Sequence, residues 1–244
     1  MTAYFEPELR GSLTQTGLYQ HPLYRLPPDI PGQRRYLDRA AIDDGALKGK
    51  GLELVWLDDP VEAFFLHIQG SGRIRLPDGK VLRVGYAGKN GHPYQSIGRI
   101  LVDRGVMRLE DVTAEGLKAW LRADPVAGAA LMRENASYVF FAERQGLTPE
   151  DGPIGTAQVP LTALKSVAVD AGHHPLGSLL WLRADDVTEA RGVLVVAQDT
   201  GGAIKGAHRI DLFLGAGSDA GRRAGEICAE VQVTPLIPQM ADRT

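Results

Sequence analysis

Short apolar segments separated by glycine and proline are the feature that most limits how this chain can fold. Its 244 residues include 29 glycines and 15 prolines, which interrupt runs rich in valine, isoleucine, leucine and aromatic side chains. Such a pattern favours strands over long helices. The predicted strands span residues 52–57, 61–68, 80–87, 137–142, 179–182 and 192–198, and Asp78-Gly79 predicts a hairpin turn. The chain is therefore expected to be mainly β.

Helices are expected in a segment near residues 95–135 and in one short stretch close to the C-terminus. Ile97, Ile100 and Leu101 have helical spacing, as expected for one face of a helix. The candidate N-caps are Thr113, Asp124 before Pro125, and Ser218 or Asp219. Residues 143–152 are polar and contain Pro and Gly, so they predict a linker between a front region and a C-terminal region.

Composition excludes several classes of partner. A formal net charge of −3 with scattered basic residues provides no electrostatic surface for nucleic acid. The one cysteine, Cys228, rules out an intrachain disulfide and a cysteine-based metal site. No stretch reaches the about 18 uncharged apolar residues that a membrane span needs. The expected partner is a neutral or zwitterionic molecule, with no metal, nucleotide or other cofactor.

The start of the chain, MTAYFEPELRG, does not have the pattern of a secretory signal peptide. A signal peptide has a basic segment followed by an apolar run, and neither is present here. The first residues instead predict a strand. The expectation is a mature or trimmed form, or one that lacks an upstream segment.

Two aspartates flank a glycine-rich turn in AQDTGGAIKGAHRIDLFLG, residues 197–215. Asp199 follows the apolar run VLVVA and precedes Thr-Gly-Gly, so a hydrogen-bonded turn explains it about as well as a functional role. Asp211 lies within an apolar strand, on the same face as Phe213, where carboxylates are disfavoured. A raised pKa and a general-acid role are therefore expected for Asp211.

Several short patterns match known motifs but lack the context that those motifs need. Asp-Thr-Gly at 199–201 matches an aspartic protease, which requires two such carboxylates and, here, a homodimer. Residues 215–221, GAGSDAG, have the wrong glycine spacing for a dinucleotide loop. His173 and His174 lack further ligands at metal-site spacing, and Lys205 lacks the Gly-Lys-Ser/Thr of a phosphate loop. None of these four functions is expected.

Two further stretches carry groups that suit neutral sugars or amides. Gln69, Gly70 and Ser71 end a predicted strand with an amide, a hydroxyl and flexible backbone. Residues 85–98, GYAGKNGHPYQSIG, place tyrosines, Asn90 and a histidine on a glycine-rich loop. For each stretch alone, a structural loop or bulge is the default interpretation.

Taken together, these stretches resemble one family, membrane-bound lytic murein transglycosylase A. The motifs, in the family's order, are TAYFEPELRGS, HPLYRLPPD, the run over residues 45–105, NASYVFF, GPIGTAQVPLT and DTGGAIKGAHRIDLFLG. The last one belongs to the 3D module that other proteins share, so the earlier motifs carry the narrower assignment. Phe5 stands where the family has a second tyrosine. The lipid-anchored N-terminus and the barrel sequence that precede TAYFEP in the family are absent from this chain.

The resemblance implies a fold of two domains with a groove between them. Residues 1–9 together with 152–244 are expected to form a double-psi β-barrel, which carries the catalytic 3D module. Residues 10–151 are expected to form a second, mostly β domain, inserted after the first strand of the barrel and containing the helical segment near 95–135.

The resemblance also implies an activity and a set of site residues. It implies cleavage of the β-1,4 bond between N-acetylmuramic acid and N-acetylglucosamine in peptidoglycan, leaving a 1,6-anhydromuramyl end. Asp211 matches the single catalytic acid and base, and Asp199 matches a supporting aspartate. The residues expected to bind substrate, from the resemblance or from side-chain chemistry, are Thr2, Tyr4, Gln69, Gly70, Ser71, Gly201, Lys205 and Phe213. A monomer acting on glycan strands in the periplasm or at the outer membrane is expected.

Two alternatives stay open from the residues alone. A wall-binding protein without catalysis would keep such a groove, although the retention of Asp211 argues against it. A hydrolase that pairs Asp199 with Asp211 would need their carboxyl groups to lie about 6.5–9.5 Å apart across a water molecule.

Overall fold

The computed structural model describes residues 1–30, 35–184 and 192–237. The chain divides into two compact units, one of Met1–Glu6 with Gly146–Thr244 and the other of Pro7–Gln145. Each unit contains one six-stranded sheet, so the chain is mainly β.

The strands and helices have the following bounds. In chain order, the strands are β1 (Thr2–Glu6), β2 (Glu8–Ser12), β3 (His21–Tyr24), β4 (Glu53–Leu57), β5 (Ser71–Arg75), β6 (Val81–Lys89), β7 (Val139–Glu143), β8 (Ser166–Val169), β9 (Leu179–Arg183), β10 (Val193–Thr200), β11 (Asp211–Ala216) and β12 (Gln232–Leu236). The helices are α1 (Arg39–Ala41), α2 (Pro60–Gln69), α3 (Ile97–Asp103), α4 (Ala114–Ala123), α5 (Pro125–Glu134) and α6 (Ser218–Glu226). A π-type turn at Ile42–Ala46 continues α1, and a 3₁₀ turn at Leu109–Asp111 precedes α4.

The sheet of the first unit has the strand order β1-β11-β8-β10-β9-β12. Strands β1 and β11 pair in parallel, as do β8 and β10, whereas the other neighbouring pairs are antiparallel. One face of this sheet is apolar and buried, and its side chains include Val167, Leu180, Leu182, Val195 and Leu212. Helix α6 adds Ala220 to the same core.

Helix α6 begins differently from the sequence-based expectation of a Ser218 or Asp219 cap. Its N-cap is Gly217, with φ 86°, and no side chain caps the helix. The chain leaves β11 through two residues at positive φ, Gly215 and Gly217, a conformation that glycine adopts at little cost. Ser218 is already helical for this reason, so its hydroxyl does not occupy the capping position.

The sheet of the second unit has the strand order β3-β4-β2-β5-β6-β7. Strands β2 and β5 are parallel, and the remaining neighbours are antiparallel. The predicted hairpin turn is confirmed, because Asp78 and Gly79 lie between the paired strands β5 and β6. Gly79 has φ 85°, and Asp78 accepts a hydrogen bond from the Lys80 backbone N–H at 3.0 Å.

The predicted strand at 61–68 is wrong, because these residues form helix α2. Asp59 caps the helix by accepting hydrogen bonds from two backbone N–H groups, and Pro60 occupies the first turn. Helix α2 lies between two apolar clusters: Ala63 and Leu66 pack against the sheet, while Val61 and Phe64 pack against the other helices. Burial on both sides makes the helix apolar all round, so its periodicity is lost.

The other helix and strand predictions fare better. Helices α3, α4 and α5 confirm the helical segment near 95–135, and Thr113 and Asp124 cap α4 and α5 as predicted. Strands β4, β6, β7, β9 and β10 overlap the remaining predicted strands.

Candidate active site

Strands β1 and β11 bring the two ends of the chain together at Asp211. The parallel register pairs Thr2 with Asp211 and Tyr4 with Phe213. Residues in register on neighbouring strands point to the same face of a sheet. The four side chains therefore share one face, opposite to the apolar face that holds Leu212.

An extra residue in β10 places Asp199 on that same face. Ala197 pairs with a core residue of β8, and the register then shifts so that Asp199, not Gln198, pairs with Ala168. Such an insertion, as in a β-bulge, reverses the side-chain alternation from that point on. Ala168 is also the partner of Asp211 on the other side of β8. The two aspartates therefore rise from one face, with their Cα atoms about 10 Å apart, two strand spacings.

Asp211 is a partly buried acid with few hydrogen-bond partners. Its Oδ1 accepts a hydrogen bond from the Thr2 hydroxyl at 2.5 Å. Burial raises the pKa of Asp211, and the negative charge of Asp199 raises it further. The Thr2 hydrogen bond and the positive charges of Arg209 and the Met1 amino group oppose this but leave the pKa above its usual value of 3.8. The carboxyl group is therefore able to hold a proton where an exposed aspartate would not.

Asp199 has three donors and a different environment. Its Oδ2 accepts a hydrogen bond from the Tyr4 hydroxyl at 2.9 Å. Its Oδ1 accepts from the Thr156 backbone N–H at 3.0 Å and from the Thr156 hydroxyl at 2.9 Å. The Thr156 hydroxyl also lies 2.9 Å from that of Thr200, which must donate because Thr156 has only one proton. Burial and the charge of Asp199 raise the pKa of Tyr4 well above 10, so Tyr4 stays a donor.

Phe213 supports this face from below. Only 1% of its surface is exposed, and its ring centroid lies 5.4 Å from that of Tyr4. The expectation that Phe213 contacts substrate is therefore corrected: its ring is covered by the rest of the unit, and it packs against Tyr4 instead.

The turn between β10 and β11 is held by groups that follow β8. Asp170 accepts hydrogen bonds from the backbone N–H groups of Gly206, at 2.9 Å, and Gly172, at 3.1 Å, and these bonds lower its pKa. His174 donates from Nε2 to the Ala207 carbonyl at 2.7 Å. Lys205 is exposed on this turn, so it is available to solvent or to a ligand.

Comparison with known proteins identifies the family. The MltA specific insert domain matches residues 1–142, and the 3D domain matches residues 165–237. The chain is 38% identical over 233 residues to membrane-bound lytic murein transglycosylase A of Escherichia coli strain K12, and 34% identical to that of Vibrio cholerae. The chain belongs to the membrane-bound lytic murein transglycosylase A family. These alignments cover 92% of this chain and 61% of each relative, so the chain spans about three fifths of the length of these relatives.

Solved structures of this family have the same fold. The membrane-bound lytic murein transglycosylase of Agrobacterium tumefaciens superposes with a TM-score of 0.88 at 35% identity, over 97% of this chain and 73% of that one. Escherichia coli MltA with bound chitohexaose superposes with a TM-score of 0.84 at 33% identity, over 96% of this chain and 71% of that one.

The predicted site residues of the second unit lie at a corner between a helix and a strand. Gln69 is the last residue of α2, Gly70 ends the helix at φ 78°, and Ser71 begins β5. The expected strand end is therefore a helix end. Whether these residues bind the same ligand as Asp211 stays a prediction.

Asn90, on the glycine-rich loop of the same unit, is structural. It is fully buried, and its Oδ1 accepts from the Tyr138 backbone N–H at 2.9 Å. Its Nδ2 donates to the carbonyls of Leu37, at 2.9 Å, and Ala136, at 2.8 Å. Because these bonds engage both ends of the amide, the side chain joins three segments of the chain rather than facing a ligand.

Sequence reasoning missed Thr156, Asp170 and His174. Thr156 lies 43 residues from the aspartate that it binds, and His174 lies 33 residues from the carbonyl that it holds. The motif GPIGTAQVPLT contains Thr156 but has no local pattern that marks its partner. Only the pairing of strands across the sheet brings these groups together.

Two searches of the described residues complete the site. Within residues 1–30, 35–184 and 192–237, no three or more histidine, cysteine, aspartate or glutamate side chains are placed so that they could hold a metal ion. Across the same ranges, no helix has the length and apolar character to cross a membrane.

Proposed function

We propose that the chain is a peptidoglycan lytic transglycosylase that cleaves the β-1,4 bond between N-acetylmuramic acid and N-acetylglucosamine. The product is a 1,6-anhydromuramyl end, and Asp211 is the single general acid and base. One observation carries the proposal: a partly buried carboxyl group with a raised pKa shares a sheet face with a second, fully hydrogen-bonded aspartate. Membership of the lytic murein transglycosylase A family supports it.

In the first step, Asp211 protonates the glycosidic oxygen while the bond from C1 of N-acetylmuramic acid to that oxygen breaks. The Thr2 hydroxyl donates to Oδ1 of Asp211, so the acidic proton resides on Oδ2. The raised pKa of Asp211 increases the fraction of molecules that carry this proton.

In the second step, the Asp211 carboxylate takes the proton of the sugar's own C6 hydroxyl as that oxygen bonds to C1. The proton lost in the first step is thereby regained, and no water is consumed. Because the nucleophile belongs to the same sugar, effective molarities of about 10⁵–10⁸ M are accessible. One carboxyl group is then sufficient where ordinary glycosidases use two.

Asp199 supports the reaction without exchanging protons. Its two oxygens accept three hydrogen bonds, from Tyr4 and Thr156, and donors of this kind favour the ionised form of a carboxyl group. Its charge raises the pKa of Asp211. A hydrolase that used Asp199 as the base for water would have to break these hydrogen bonds.

The proposed ligand is a glycan strand. The chitohexaose in Escherichia coli MltA is an oligosaccharide, and the polar groups of this chain suit such a neutral ligand. The proposed substrate-binding residues are Thr2, Tyr4, Gln69, Gly70, Ser71, Gly201 and Lys205. Membrane-bound relatives support a periplasmic or outer-membrane location, and we propose a monomer.

We also propose that the sheet of the first unit is a double-psi β-barrel. Six strands and two parallel pairs, β1 with β11 and β8 with β10, support this. A bridge between Thr2 and Cys228 brings the chain that leads into β12 back to β1, as closure requires.

The proposed function is tested by mass spectrometry of the products released from purified peptidoglycan. Wild type should release anhydromuramyl products, one water lighter than hydrolysis products. Asp211→Asn should lower their release by about 10³-fold or more, because the amide cannot donate an acidic proton. Asp219→Asn, which changes an exposed aspartate on α6, is the matched control and should keep full activity.

Two other outcomes would contradict the proposal. Products with reducing ends would indicate a hydrolase that pairs Asp199 with Asp211. Intact binding of peptidoglycan without any released product would indicate a wall-binding protein.

A further inference from the structure

We propose that Thr156 is a positioning residue for the reaction, and that the loop over residues 152–161 is the element that holds it against Asp199. This inference rests on the proposed function. Thr156 does not reach the scissile bond in this scheme. It acts through Asp199, whose orientation in turn determines how Tyr4 and Asp211 are held.

The loop has a tight internal structure. Gly155 donates to the carbonyl of Val159 at 3.0 Å, and Gln158 donates to the carbonyl of Gly155 at 2.9 Å. Ile154 and Pro160 form an isolated bridge. Gln158 has φ 61°, a left-handed conformation that costs a residue with a side chain about 1 kcal/mol or more. Such strain persists where the surrounding contacts determine the backbone, and it is often associated with functional sites.

Two glycines dock this loop onto both strands that carry the aspartates. A side-chain carbon at Gly155 would lie 2.5 Å from the carbonyl oxygen of Gln198, the extra residue of β10. A side-chain carbon at Gly152 would lie 2.2 Å from the Leu161 carbonyl oxygen and 2.8 Å from the ring of Phe213 on β11. Both distances are too short for any other residue, so glycine is required for this close approach.

The docked loop delivers two donors to one oxygen of Asp199. Ala157 donates to the carbonyl of Gln198 at 3.0 Å, which fixes the backbone on the residue following Thr156. The backbone N–H and the hydroxyl of Thr156 then both reach Oδ1, while Tyr4 holds Oδ2. Because both oxygens are engaged, the plane of the Asp199 carboxylate cannot rotate without breaking a hydrogen bond.

Fixing Asp199 matters because its charge acts on Asp211. The groups that face Asp211 are the Thr2 hydroxyl on β1, the Met1 amino group, Arg209 before β11 and Asp199 on β10. Of these, Asp199 is the one that favours the protonated acid. A mobile Asp199 would spend less time in the orientation that does so.

The test compares Thr156→Val, which removes only the hydroxyl, with Thr156→Ser, which keeps it. Thr156 is exposed, so neither change is expected to unfold the chain. The matched control is Thr234→Val on the exposed strand β12. The pKa of Asp211 is measured by NMR of ¹³C-labelled aspartate carboxyl groups, and kcat, KM and the pH profile of anhydromuramyl release are measured on peptidoglycan.

Thr156→Val should lower kcat about tenfold with little change in KM, since it alters positioning rather than binding. Activity requires protonated Asp211, so it is lost as pH rises through that pKa. In Thr156→Val, this loss and the NMR titration of Asp211 should both move down by about 0.5 pH unit, in the direction of Asp199→Asn. Thr156→Ser should restore wild-type values.

The inference is overturned if Thr156→Val matches wild type and Thr234→Val in both the Asp211 titration and kcat. It is also overturned if Thr156→Ser behaves like Thr156→Val. Absence of anhydromuramyl products from wild type would instead overturn the proposed function, and the NMR titration would still decide whether Thr156 controls the Asp211 carboxyl group.

Discussion

The two units bury charge in opposite ways. In the first unit, the partly buried Asp211 accepts one short hydrogen bond, from Thr2. In the second unit, Arg39 is 4% exposed, and its guanidinium donates to the carbonyls of Asn135, at 3.0 Å, and Ser137, at 2.8 Å. One charge is nearly unpartnered, while the other is well satisfied.

The surroundings of Arg39 extend the contrast. Its guanidinium lies 4.7 Å from the ring centroid of Phe64 and 5.0 Å from that of Tyr138, where the ring faces attract a cation. It also lies 3.3 Å from His67 Nδ1, which must accept because arginine has no acceptor. His67 is therefore neutral, with its proton on Nε2.

The difference separates a structural role from a reactive one. A buried charge with hydrogen bonds in good geometry is retained in one protonation state and orders the chain around it. A buried acid with few partners has a perturbed pKa, and such groups cluster at functional sites. On this criterion, Arg39 maintains the fold of its unit, and Asp211 is the group able to exchange a proton.

The largest effect on stability is expected from Arg39→Met. The change leaves two buried carbonyl groups without donors, and it should lower the free energy of unfolding by about 3 kcal/mol. Arg99→Met, at an exposed arginine paired with Asp103, is the control and should cost less than about 0.5 kcal/mol. Denaturant unfolding measures both. Equal values for the two variants would show that the Arg39 cluster is not a structural lock.

A smaller, pH-dependent effect is expected at His67. Burial and the charge of Arg39 lower its pKa well below 6.5, so the folded state keeps it neutral. The stabilisation is then present above pH 6.5 and is lost as pH falls towards the folded pKa, by at most about 1.4 kcal/mol per pH unit for one proton. His67→Gln cannot be protonated and should flatten the slope below pH 6.5, whereas His173→Gln, in an exposed turn, should keep it. Thermal unfolding between pH 4 and pH 7 would reveal an unchanged slope if His67 were not responsible.

The smallest effect is expected at Asp211. Its folded pKa is raised, so its contribution to stability is present below its usual value and is lost as pH rises through the folded pKa. At pH 7, Asp211→Asn should therefore be more stable than wild type by about 1 kcal/mol, and the difference should vanish near pH 3.5. Asp199→Asn should be less stable than wild type at pH 7, because an amide has one acceptor oxygen for three donors. Melting temperatures that move in the same direction would remove the distinction between the two aspartates.

Much of this architecture was predictable from local sequence. Five predicted strands, the helical segment near 95–135 and the caps at Thr113 and Asp124 are confirmed, because turn residues and caps act over a few positions. Helix α2 was misassigned because it is buried on two sides, which removes the periodicity that separates a helix from a strand. Asp211 was singled out because a carboxylate in an apolar strand is unusual.

By itself, the sequence determined which residues have the chemistry for a site: two aspartates, a glycine-rich turn and the hydroxyl groups at Thr2 and Tyr4. Only the tertiary structure decided how they meet. Counting by twos from Ala197 would place Asp199 in the apolar core, and the extra residue Gln198 turns it to the face of Asp211. Thr156 reaches that aspartate from 43 residues away. Register and loop docking depend on contacts between distant strands, and no short window of sequence contains both partners of such a contact.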